Sequence, residues 1–193
     1  MESLHLTRPH AIMMVGIPGS GKTFFAEKFA ETFSAPYIDS LAIETRASDA
    51  KSAGELIALL LGEITKTKQT FVFEGNSDAR IRRTEFGQWA RNHGYQPLFI
   101  WVQADQATSL KRSLKMKTLS KNQFKEVIQG FSAPHPDEKP VVISGKHTFA
   151  SQLKVVLEHL SRDNRPATAP TVTAPARASL VTQSSPNRSI TVR

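Results

Sequence analysis

Along the first 160 residues, unbroken apolar runs alternate with segments of helical period. Residues 11–15, AIMMV, are one such run, and a continuous apolar run predicts a strand covered on both faces. TFVFE at 70–74, PLFIWV at 97–102 and PVVIS at 140–144 read the same way, and PYID at 36–39 predicts a short strand ending in an acid. Between these runs lie the helical periods. Phe24, Phe25, Phe29, Ala30 and Phe33 share one side of a helix over 22–33, and Leu56, Ile57, Leu60, Leu61 and Ile64 share one side of a helix over 52–66. Residues 79–93 predict a helix closed by Gly94 at the C′ position. Residues 105–117 and 120–130 read as helical and basic, and Thr148 is placed to cap a last helix through Leu160. Strand–helix repeats with buried strands imply an α/β three-layer sandwich around a parallel sheet of five strands.

Composition refines this picture. The chain has 193 residues, 39% hydrophobic and 22% charged, which fits one globular domain over residues 1–160. Residues 161–193 are rich in Pro, Thr, Ser and Ala with few large apolar side chains, so burial cannot offset their ordering entropy and the segment predicts a disordered tail. The net charge is +8; five arginines against one acid place +4 in the tail, leaving +4 for residues 1–160. That excess suits either solubility or an anionic partner such as a nucleotide, nucleic acid or phosphorylated substrate. There is no cysteine, which excludes a disulfide framework and thiolate chemistry. The six histidines are scattered without metal-ligand spacing. No apolar stretch has the length of a signal-peptide core or a membrane span, so the cytoplasm is the expected compartment.

The chemistry begins at residues 16–23, GIPGSGKT, which fit G-x-x-x-x-G-K-[ST] without deviation. Glycines let the backbone curl so that successive N–H groups face a phosphate, and the helix that starts there aims its positive end at the same point. Gly16, Ile17, Pro18, Gly19, Ser20 and Gly21 would wrap the phosphates of ATP, Lys22 would neutralise the β- and γ-oxygens, and Thr23 would place its hydroxyl on Mg²⁺. The motif follows a buried strand and opens an amphipathic helix, which is the context it requires. Two acids then end neighbouring strands. Asp39 and Glu74 open at the carboxyl edge of the sheet beside the loop. One can organise Mg²⁺ and the other can accept a proton from an attacking hydroxyl. Capping of the next helix is the other reading of Asp39, which precedes SLAIE.

These segments, with FVFEGNSDARIRRTEFGQWARNHGYQPLFIWVQAD and the basic SLKRSLKMKTLSKNQF, resemble the small P-loop kinases of the AAA_33, polynucleotide kinase and zeta-toxin-like group over roughly residues 9–160. The matching positions after strand 3 are Glu74, Asn76, Arg82 or Arg83, Trp89 and Gly94–Tyr95. The resemblance implies a sheet order 2-3-1-4-5 and an acceptor site over Asp39, which stands at the family's general base. It also implies a lid between strands 4 and 5, with Arg112 reaching the transferring phosphoryl group. Glu74 stands where most P-loop proteins carry Asp, and Met116 where polynucleotide kinases carry a second lid arginine. Gly145, with Lys146 and His147, would line the adenine. Arg46, Arg80, Arg82 and Arg83 are candidate clamps for an anionic acceptor, against the alternative of solvated helix surface; the same alternative holds for the basic segment around Arg112.

The leading expectation is therefore a kinase that binds ATP and Mg²⁺ and phosphorylates a hydroxyl on a nucleic-acid 5′ end, nucleotide sugar or small metabolite. Its catalytic residues would be Lys22, Asp39 and Arg112, its metal residues Thr23 and Glu74. It would act as a monomer or weak dimer away from membranes. The competing expectations are an ATP-hydrolysing switch without an acceptor and a degraded kinase. The guanine-specific N-K-x-D is absent, which disfavours a GTPase.

Overall fold

The computed structural model describes residues 6–163. The tail expected over 161–193 lies, from residue 164 onward, outside the described residues. The chain runs β1 (His10–Val15), α1 (Lys22–Phe33), β2 (Tyr37–Asp39), α2 (Ser40–Glu44), α3 (Ala50–Thr67) and β3 (Phe71–Glu74). It continues through α4 (Arg80–Asn92), β4 (Gln96–Gln103), α5 (Gln106–Lys115), α6 (Lys121–Gly130), a short 3₁₀ turn (Pro136–Glu138), β5 (Val141–Ser144) and α7 (Phe149–Asp163). The five strands are all parallel in the order β2-β3-β1-β4-β5, as the resemblance implies.

β1 is central and every residue of it is buried, because alternate side chains enter opposite cores. Ile12 and Met14 pack with Phe25 and Phe29 of α1 and with Val156 and Leu160 of α7. Ala11, Met13 and Val15 face the other way, toward Phe71, Phe73, Phe86, Ala90, Tyr95 and Phe99. Stacked Phe73 and Phe86, with rings 5.5 Å apart, and edge-on Phe71 and Tyr95 at 5.4 Å lock that second layer. The three-layer sandwich is thus two cores separated by one sheet.

The predicted faces of two helices are corrected. In α1, Phe24 is 51% exposed and Ala26 is buried in its place. In α3, Ile57, Leu61 and Ile64 pack on the second core, whereas Leu56 and Leu60 are 46% and 42% exposed. The sheet meets this helix along a narrow i, i+4, i+7 stripe, so the flanking leucines stay outside. Gly94 takes a left-handed φ of 82° after C-cap His93, and the Thr148 hydroxyl accepts from Ser151 N at 3.4 Å; both ends are as the sequence predicts. No helix among the described residues is long and apolar enough to cross a membrane.

Candidate active site

β1 ends between β3 and β4, so the loop after it opens at the point where the chain's connections diverge to either side of the sheet. Within that loop, Ser20 N donates to Ile17 O at 3.1 Å to close a turn, and Gly16, Gly19 and Gly21 take φ of 148°, 74° and 109°. Gly19, like Gly16, tolerates no side chain on two counts. Its φ is left-handed, and a Cβ there would lie 2.3 Å from Ser109 O and 2.8 Å from Ser113 Oγ of α5. Ile17 lines a neighbouring cavity of about 510 Å³ with Trp101, Phe131 and Lys146; Pro18 is half-buried.

The loop's chemistry fits a polyanion. Lys22 Nζ donates to Ile17 O at 3.2 Å. Burial pulls its ammonium below the ordinary lysine pKa, and the charge of Glu74 pulls it part of the way back. A phosphate in the cradle would supply the same compensation. Ser20 Oγ is buried, without a hydrogen-bond partner among the described residues, and faces the bare Gly16 α-carbon.

Thr23 and Glu74, chosen for the metal, are in direct contact: Thr23 Oγ1 donates to Glu74 Oε1 at 3.0 Å. A hydroxyl and a carboxylate at that separation are hard oxygen donors of the kind Mg²⁺ takes. The sequence reading missed Tyr37, whose hydroxyl donates to Glu74 Oε2 at 2.9 Å. In the register Tyr37 lies opposite Val72, so Glu74 is its diagonal neighbour, within reach of an aromatic side chain. Burial, then the Glu74 charge, push the Tyr37 phenol well above its ordinary pKa, so it remains a donor. Tyr37 therefore fixes one carboxylate oxygen and leaves the other toward Thr23. Tyr37→Phe is expected to raise the Mg²⁺ concentration for half-maximal nucleotide binding about 10- to 100-fold, the range for partners that orient a metal ligand, with little change in affinity for metal-free ADP. Calorimetry with and without Mg²⁺ reads both.

Asp39 lies in register beside Glu74. Its Oδ1 accepts from Leu41 N at 3.0 Å and Ala42 N at 3.3 Å, so it caps α2. Oδ2 has no hydrogen-bond partner among the described residues. The two readings of this residue use different oxygens. A cavity of about 540 Å³ between α2, α3 and the β3–α4 loop is lined by Glu44, Ser48, Asp49 and Asn76. Arg46 is turned onto Ala42 O at 2.7 Å.

Arg112 and Gly145 meet at the back of the loop. Arg112 Nη1 donates to Gly145 O at 3.0 Å and lies 3.4 and 3.5 Å from Gly19 O and Ser20 O. It therefore grips the carbonyl side of the loop, while Lys111, Lys115, Met116 and Lys117 are exposed. A Cβ on Gly145 would stand 1.8 Å from Ser20 O, so the β5–α7 turn rests on the loop through a bare α-carbon. Lys146 pairs with Asp105 across the two turns at 2.5 Å. Lys146, then the backbone N–H of Thr108, hold the Asp105 carboxyl well below its usual range. Overpacking typically costs about 1–3 kcal/mol, so Gly145→Ala should weaken ADP binding by roughly 5- to 150-fold; unchanged affinity in calorimetry would detach this contact from the site.

Arg83 corrects an expectation. It is 0% exposed and so is no surface clamp. Its Nε donates to Glu138 Oε2 at 2.6 Å and Nη2 to Glu138 Oε1 at 3.1 Å, while Nη1 serves Ser77 O and Ser132 O at 2.8 and 2.9 Å. One side chain thus joins the loop after Glu74 to both ends of the segment that leaves α6.

In fold the chain is similar to solved structures of two kinases and of Kti12. The gluconokinase of Sinorhizobium meliloti 1021 superposes with a TM-score of 0.62 at 15% identity, covering 81% of this chain and 94% of that one. Kti12 of Chaetomium thermophilum in complex with ADP-AlF3 gives 0.63 at 14%, covering 78% and 97%. Shikimate kinase of Acinetobacter baumannii in complex with shikimate gives 0.54 at 18%, covering 82% and 97%. At such identities the likeness is one of fold. No curated protein matches in sequence. The family model described as AAA domain, AAA_33, matches residues 12–134, well over half of the sequence, and the chain belongs to that family.

Proposed function

We propose that this protein is an ATP-dependent kinase that phosphorylates a hydroxyl acceptor. The observation that carries the reading is the Thr23–Glu74 contact next to Lys22 in a glycine cradle, with Asp39 in register beside it. Gly16 to Thr23 hold the triphosphate, and Thr23 with Glu74 hold Mg²⁺. Bound ATP and Mg²⁺ supply the transferable phosphoryl group and the positive charge that eases its transfer. Lys22 adds a cation whose burial strengthens its pull on phosphate oxygens. Asp39 Oδ1 stays on the backbone of α2, which orients the carboxylate, and Oδ2 takes the proton of the acceptor hydroxyl as that oxygen bonds to the γ-phosphorus and the bond from phosphorus to the β–γ bridging oxygen breaks, leaving ADP. The acceptor enters beside Asp39 and Asn76. A nucleic-acid 5′-hydroxyl and a small metabolite alcohol both satisfy this chemistry.

A second reading is ATP hydrolysis without an acceptor: Arg112 is occupied by backbone carbonyls and Met116 is 69% exposed, so this conformation does not present the lid arginine that the kinase resemblance implies. Incubation with γ-labelled ATP and a panel of 5′-hydroxyl oligonucleotides, nucleosides, sugars and amino sugars separates the two. Label on an acceptor supports the kinase. Label released only as inorganic phosphate, whatever is added, favours hydrolysis. Failure to take up adenine nucleotides in calorimetry overturns both.

A further inference from the structure

A second anion site is suggested far from the loop. A cavity of about 500 Å³ lies between α4, the first half of β4 and the segment before β5, a size usual for small-molecule sites. It touches β4 at Gln96–Phe99, whereas the phosphate loop sits at the opposite, carboxyl edge of the sheet.

The charge in this cavity is only partly compensated. Glu138 is committed to buried Arg83, and Asp137 lies 3.8 Å from Arg80 and 2.9 Å from His135. Arg91 and Lys139 also line the cavity. Both are exposed, and neither side chain has an acidic partner among the described residues. Arg91 Nη1 and the Phe99 ring each lie 3.5 Å from the spot a Cβ would take on Gly87, so the guanidinium sits beside this glycine and close to an aromatic wall. Lys139 is held by a left-handed φ of 48° at the end of the 3₁₀ turn. Thr84, Gln88 and Gln96 add hydroxyl and amide groups to the lining, and His159 adds an imidazole.

We propose that this cavity binds a small phosphorylated molecule, its phosphate taken by Arg91 and Lys139 and its polar remainder by Thr84, Gln88 and Gln96. Guanidinium and ammonium donors make charge-assisted bonds to phosphate oxygens. A concave site with amide and hydroxyl walls suits a compact phosphomonoester better than an extended nucleic-acid backbone, which a flat basic stripe would track.

The test uses the full chain, ¹⁵N-labelled and saturated with ADP so that the phosphate loop is filled, titrated with glycerol phosphate. Saturable amide shifts are expected across residues 84–91 and 137–139. In the Arg91→Ala, Lys139→Ala double variant the midpoint should rise about tenfold, as for loss of a charge-assisted contact, with ADP affinity unchanged. The proposal is overturned if glycerol phosphate produces no saturable shift there, if plain glycerol shifts the same amides, or if the double variant titrates like the parent. It is overturned equally if a 5′-hydroxyl oligonucleotide shifts these amides and glycerol phosphate does not. Should the chain fail to bind ADP at all, the same titration without nucleotide still reads the two regions separately, so this site and the kinase reading stand or fall on different signals.

Discussion

Asp39→Asn is expected to slow phosphoryl transfer by about 10²- to 10⁴-fold, the contribution usual for a positioned base, while ATP affinity and melting temperature stay near those of the parent. The reason is the division of labour between its oxygens. Asparagine keeps an Oδ1 that can accept from Leu41 N and Ala42 N, and asparagine caps helices about as well as aspartate. What it loses is an oxygen able to take a proton. Asp39→Ala loses both, and should also destabilise by about 1 kcal/mol for the missing cap. Single-turnover transfer beside calorimetric ATP binding gives the two readouts. An asparagine variant that transfers at the parent rate would leave Asp39 as a cap and nothing more.

The largest effect on stability is expected at Arg83. Arg83→Met leaves Glu138 beside an apolar side chain and strips the bonds from Ser77 O and Ser132 O. Removing one partner of a buried pair typically costs about 3–5 kcal/mol, which for a domain of this size lowers Tm by on the order of 10 °C. Replacing both partners, Arg83→Met with Glu138→Leu, should recover much of that loss, because no charge is left stranded. The effect depends on pH. Burial alone would raise the Glu138 pKa, but the Arg83 hydrogen bond, the His135 backbone N–H and the Arg83 charge outweigh it and hold it below its ordinary 4.5. A depressed carboxylate pKa stabilises above the unfolded value and loses that contribution as pH falls through the folded one. The gap between parent and Arg83→Met should therefore be full at neutral pH and narrow below about pH 4.5. Denaturant melts at neutral pH and in the acid range check both the size and the trend.

Some of this was legible in the sequence and some was not. The strands followed from apolar runs that only a doubly covered sheet can bury, their order followed from the family resemblance, and GIPGSGKT carried its own backbone geometry. Local pattern also located Asp39 and Glu74, because parallel strands bring their ends to one edge. Tyr37 escaped because its contact depends on the register of β2 against β3, a choice that three residues of strand do not reveal. Arg83 escaped because it reads like its neighbours Arg80 and Arg82; what distinguishes it is an acid 55 positions away. The exposed Leu56 and Leu60 show the same limit. Helical spacing tells which residues share a side, but the width of the partner surface decides how many of them are covered.

The contacts of Arg112 with three carbonyls, and the resting of Gly145 on Ser20, tie α5 and the β5–α7 turn to the nucleotide loop. A closing movement that keeps these contacts would carry α6 and the segment beyond it rather than α5. Its pivots would lie at the turn between α5 and α6, where Lys117 is left-handed at φ 54°, and in the stretch after Gly130. Deuterium uptake should then divide this region at Lys115, the amides of α5 exchanging as slowly as the central strands and those of α6 much faster.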